Sequence, residues 1–143
     1  MNDEKKLLWD MAEHKLSKLI HIAMADLVAA ERDPRFTIDM GVWHDPDDRE
    51  DNVCTVCFAG STMYRSGVAA IEGMPHADHP DWPAWHALNE LRNGYVEHAA
   101  AWLELDTRKY MNQDRFIAPY SVYVPQFKND MWALADDLEA RGL

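Results

Sequence analysis

Leu8, Trp9, Ala12, Leu16, Leu19, Ile20, Ala23 and Leu27 share one arc of about 120° when residues 3–31 are laid out at helical spacing. Asp10, His14, Ser17, Lys18 and His21 take the opposite side. No other stretch of the chain constrains its fold as strongly. The pattern predicts one long amphipathic helix, begun by Asp3 and Glu4 at its positive end and stopped by Pro34. At 1.5 Å per residue such a helix is a rod of about 42 Å, the expected spine of the domain. His14 and His21, on its solvated side, are expected to be surface residues.

Beyond Pro34 the periodicity changes. Phe36, Ile38, Met40 and Val42 alternate with Thr37, Asp39 and Gly41, the period of a half-buried strand. The run HDPDDREDN, residues 44–52, reads as a solvated acidic loop. A calcium loop begun at Asp45 would need glycine sixth and glutamate twelfth, where Glu50 and Val56 stand. Asn52 reads as the N-cap of a helix from Val53 to about Arg65, with Val53, Val56, Cys57, Gly60, Met63 and Tyr64 as its core stripe and Ser66-Gly67 as its end. Ala59, Gly60 and Ser61 leave room for a close neighbour.

A proline-broken segment, EGMPHADHPDWP, leads to a helix that Asp81 caps and in which Pro83 is tolerated early. Trp85, Leu88 and Leu91 form its apolar stripe, and Asn93-Gly94 ends it in preference to one continuous helix. A second short helix, Tyr95 to Leu105, is expected next, then an extended piece around Val122 and Val124 between Pro119 and Pro125. Phe127, Met131, Leu134 and Leu138 mark a C-terminal helix with Gly142 just past it. The expected fold is mostly α, α+β at most: residues 1–143 as one compact helical domain, with a long N-terminal helix and a small β element.

The formal charge of −11, with acids in excess along the whole chain, disfavours nucleic acid and anionic lipid and favours a basic partner. The alternative is that acidity only keeps the protein soluble. No stretch approaches the roughly 20 apolar residues of a membrane span, and the charged start lacks a secretory signal core, so a cytoplasmic protein is expected. Two cysteines close in sequence make no disulfide framework.

Chemistry centres on Cys54 and Cys57. With His76 and His79 they supply the two thiolates and two imidazoles that tetrahedral zinc accepts. The eighteen residues between Cys57 and His76 exceed finger spacing, and VCTVCF lacks knuckle-forming turn residues. A redox pair is opposed by the acids just upstream, which disfavour a thiolate. Buried, structural cysteines are therefore expected, with no cofactor; zinc or thiol-redox chemistry is the alternative. The segment HADH resembles part of the His-x-His-x-Asp-His metal motif of metallo-β-lactamase-like hydrolases, but Met74 stands at the first ligand position and the chain is too short for that fold. No glycine-rich phosphate loop and no complete catalytic constellation is present, so an enzyme is the less favoured class.

Six tryptophans in 143 residues suit a binding protein, because tryptophan buries a large rigid surface and keeps one donor. Trp82 and Trp85 are the candidate exposed contact pair, with the acidic residues Asp45, Asp47, Asp48, Glu50 and Asp51. FTIDMGVWH, CTVCFAGSTMYRSG and WHALNELRNGY together resemble segments of small uncharacterised phage and prophage proteins with a Val-Trp-His…Cys-x-Val-Cys-x-Ala-Gly pattern. Trp43, His44, Cys54, Cys57, Ala59, Gly60, Leu91, Arg92 and Gly94 carry that likeness over residues 36–95. It assigns no role to any of them. The resemblance implies a phage-encoded accessory protein acting in the host cytoplasm, where it would bind and inhibit a host factor through a basic patch on that partner.

Overall fold

The computed structural model describes residues 7–38, 44–45, 54–65, 78–111 and 124–143. The protein is mostly α. Helices α1 (Leu8–Met11), α2 (Leu16–Arg32), α3 (Phe58–Arg65), α4 (Trp82–Arg92), α5 (Val96–Trp102) and α6 (Val124–Ala140) surround one core, with a 3-10 turn at Thr107–Lys109. Strands β1 (Phe36–Ile38), β2 (His44–Asp45) and β3 (Cys54–Val56) form a small sheet in the order β1-β3-β2. β3 pairs parallel to β1, with Phe36 opposite Cys54, and antiparallel to β2, with His44 opposite Val56.

The expected unbroken helix over 3–31 is two helices. Its apolar arc is real: Leu8, Ala12, Leu16, Leu19, Ile20, Ala23 and Leu27 are all buried. The backbone nevertheless leaves the helical region at Glu13 and His14, with φ of 53° and 57°. A Schellman closure does this: the Glu13 N–H donates to the Asp10 carbonyl, and the His14 N–H to that of Trp9. Side chains hold the turn, through the His14–Asp10 pair at 2.9 Å, a Glu13–Lys18 ion pair and the His14 ring stacked on Trp9. Exposed glutamate and histidine carry no helix-stop signal, so periodicity reads straight through them.

α2 is the spine. It packs against α6, α3 and β1, and its end follows the expected logic. Asp33 is pushed to an extended ψ of 119° ahead of Pro34, and accepts the Arg35 N–H at 2.9 Å. Phe58 and Phe127 meet edge to face with centroids 4.9 Å apart, joining α3 to α6 beneath it.

The helix expected from Val53 begins five residues later, at Phe58, because Cys54, Thr55 and Val56 add a strand beside β1. β-branched Thr55 and Val56 suit a pleated surface better than a first helical turn. Residues 57–62 are then buried consecutively. A helix enclosed on every described side shows no stripe over those residues.

α4 ends at Asn93-Gly94 as expected, with Gly94 at a φ of 88°. Helix α5 is shorter than the 95–105 segment read for it, and α6 starts at Val124 with Pro125 in its first turn, where extended chain was expected. The expected strand beyond Ile38 and the rest of the extended piece fall outside the described residues. Among the described residues no helix is long and apolar enough to cross a membrane.

Candidate functional site

Cys57 lies at the β3–α3 junction, fully buried and free. Burial pushes its thiol above the ordinary range, and the Gly60 N–H donates to its Sγ at 3.4 Å. A thiol held protonated in a core is a poor nucleophile and a poor metal ligand. The Cys54 side chain and His76 lie outside the described residues. His79 is committed elsewhere: its Nδ1 accepts the Asp81 N–H at 3.0 Å, and its ring stacks on Trp85 at 4.3 Å. Of the acidic loop, Asp45 falls in β2 with its side chain not described; Asp47, Asp48, Glu50 and Asp51 lie outside the described residues.

The expected exposed pair, Trp82 and Trp85, is not a pair. Trp85 is 0 % exposed, in line with Leu88 and Leu91 on the buried stripe of α4. Its indole Nε1 meets no hydrogen-bond partner among the described residues. The stripe and the exposed pair were incompatible expectations, and burial of so large a ring wins. Asp81 also departs from its expected role. Its side chain makes no cap bond to its own helix, and instead Oδ1 accepts the Leu8 N–H, the first of α1, at 2.8 Å.

Trp82 faces the other way, into an aromatic cluster that α4 and α5 build together. His86, one turn along α4, meets Trp82 edge to face at 5.0 Å and lies 3.7 Å from the Trp102 ring at the end of α5. Trp82 and Trp102 cross at 89° with centroids 6.2 Å apart. Glu90, a further turn along, sits between two imidazoles: its Oε1 is 3.8 Å from His86 Nδ1, and its Oε2 is 3.5 Å from His98 Nδ1. The Glu90 carbonyl accepts the Tyr95 N–H at 2.9 Å, closing the turn that brings α5 back. Tyr95 in turn stacks on His98 at 4.9 Å.

Electrostatically the cluster is tuned toward neutral His86. Burial lowers its pKa and the Glu90 carboxylate opposes that shift, while the buried Nδ1 has no hydrogen-bond partner among the described residues. The outer faces stay open, with Trp102 43 % and Tyr95 51 % exposed. The cluster presents aromatic faces, two imidazoles and a carboxylate on one surface, groups that suit recognition of a cationic or aromatic partner.

Sequence reasoning missed His86, Glu90, Tyr95, His98 and Trp102. Trp82, His86 and Glu90 at successive i, i+4 positions were a readable signal for one face. Trp102 joins them only through the turn at Gly94. Away from the cluster, a cleft of about 280 Å³ between α2 and β1 is lined by Asp26, Ala30, Asp33, Arg35, Phe36 and Ser61. Asp33 and Arg35 neutralise one another at its edge, and that bond holds the Asp33 carboxyl below its usual range. No family model, curated protein or solved structure matches the chain.

Proposed function

We propose that the protein acts by binding another protein, without turnover, through the face formed by Trp82, His86, Trp102, Tyr95 and His98. The observation that carries this reading is Trp102: a large ring already oriented by His86 and Trp82, yet 43 % exposed. Pre-oriented aromatics bind well because little rotamer freedom remains to be lost. Glu90, Glu97 and Glu104 lie on the same two-helix unit or at its end, and the chain carries −11, so the partner presents a basic patch. Lysine or arginine on that patch would gain both the carboxylates and the indole face.

On the resemblance to phage and prophage proteins, the partner would be a host factor, and the outcome its inhibition in the host cytoplasm. Nucleic acid is disfavoured by the same charge. Zinc or thiol chemistry at the Cys-x-x-Cys has less to support it, since one of the thiols is sealed in the core and kept protonated.

The test is capture from host lysate on immobilised protein. One discrete partner should be recovered at about 50 mM salt and lost toward about 500 mM, where charges are screened beyond a few ångströms. Trp102→Ala should abolish that recovery while the variant stays folded. A recovered complex indifferent to Trp102→Ala and Trp82→Ala would refute the assignment.

A further inference from the structure

His21 projects from the second turn of α2, and Asp136 and Glu139 from the facing last turns of α6. One imidazole nitrogen and one oxygen from each carboxylate lie within 4.8 Å of one another. The register that brings them together is fixed at both ends of an antiparallel helix pair. Lys128 at the start of α6 pairs with Glu31 near the end of α2 at 3.1 Å. At the opposite end the Leu143 carbonyl accepts the Ser17 N–H at 3.4 Å. Between those ties Leu134, Ala135 and Leu138 are buried in the same core as Leu16, Ile20 and Ala23. The backbone under the three groups is therefore held, while the side chains keep freedom to turn.

We propose that His21, Asp136 and Glu139 form a binding site for a divalent transition-metal ion of the zinc type, clasping α6 onto α2. The imidazole sets the class, since a borderline cation accepts nitrogen together with carboxylate oxygen, whereas magnesium and calcium prefer oxygen alone. Zinc takes such ligands at about 2.0–2.2 Å. Bringing the donor atoms onto that sphere requires only rotamer adjustment of Asp136 and Glu139, both exposed, and of the half-exposed His21. Among the described residues none of the three side chains enters a hydrogen bond or ion pair, so metal binding would break none of those. Trp132, one turn before Asp136, lies with its ring 5.7 Å from that of His21 and limits how far the imidazole can swing. Three protein ligands leave a further position to water.

The experiment uses the full chain, stripped with a chelator, titrated with zinc and followed by calorimetry and by thermal midpoint. One zinc should bind per chain and raise the midpoint by mass action on the folded state. Magnesium should do neither. His21→Gln should weaken zinc by at least about tenfold, because loss of an outer-shell partner alone costs about 10–100-fold. The double variant Asp136→Asn, Glu139→Gln should do the same. All three positions are at the surface, so each variant should match the zinc-free protein in circular dichroism and midpoint. Copper(II) should quench Trp132 fluorescence in the parent, and Trp132→Phe should remove the quenched component. Zinc binding that survives His21→Gln would place the ion on other histidines and overturn the site. Equal binding of magnesium, or no zinc bound, would overturn it as well.

Discussion

Glu13 and Glu104 hold left-handed φ angles of 53° and 58°, positions that helix ends normally give to glycine. α1, α4, α5 and α6 all close by the same paired hydrogen bonds, and at α4 and α6 the residue in that place is Gly94 or Gly142. Those two ends are legible in the sequence. The other two are not, because glutamate is an ordinary helix former and nothing local marks it as a terminator. The left-handed conformation costs a non-glycine residue about 1–2 kcal/mol, and glycine loses about 0.5–1 kcal/mol more backbone entropy on folding. Glu104→Gly should therefore stabilise the protein by up to about 1 kcal/mol, read as a higher urea midpoint at unchanged slope. Glu13→Gly should gain less, since it also loses the ion pair with Lys18. A lower midpoint for Glu104→Gly would mean that its side chain supports the turn.

His86 makes a second prediction at this scale. Its folded pKa is depressed by burial, so the unfolded chain takes up the proton first as pH falls. Its neutral form favours folding above the ordinary imidazole value of about 6.5, and that advantage shrinks as pH falls toward the lower folded value. Denaturation midpoints should drop more between about pH 7.5 and pH 5 in the parent than in His86→Phe. Equal slopes would show that Glu90 cancels the burial.

Among the elements, the helices with one buried face were readable and the enclosed or very short ones were not. α2 and α6 alternate core and solvent at helical spacing, so Leu19, Ala23, Met131 and Leu138 are where periodicity places them. α3 is enclosed on every described side, and β3 is three residues long, too short for a period to register. α1, a single turn, is held by a distant residue: Asp81 caps it from the start of α4. Sequence reading gave that aspartate to its own helix, which is the nearer choice but not the one the packing makes. Asp81→Ala should cost about 1–3 kcal/mol, the range for a buried donor losing a charged acceptor. Hydrogen exchange should show the Leu8 amide and the rest of α1 opening before α4. Protection of α1 equal to the parent's would mean that burial of Leu8 and Ala12 alone holds it.

For the whole molecule, periodicity indicated a mostly helical domain and composition an acidic, tryptophan-rich one, and the fold decides which tryptophans serve the core. Trp85 fills it, while Trp102 and Trp132 stand 43 % and 40 % exposed on different helices. Only Trp102 belongs to the aromatic cluster with Trp82 and His86. Its place there depends on the turn at Gly94 and on tertiary contact, which is why local sequence could not show it. The partner-binding account thus makes the two exposed tryptophans among the described residues, Trp102 and Trp132, unequal. A photoreactive benzoylphenylalanine installed at position 102 or at position 132 and irradiated in host lysate measures that inequality. The account predicts one discrete cross-linked protein from position 102, lost at high salt, and none from position 132; cross-linking equal at both positions, or confined to 132, would contradict it.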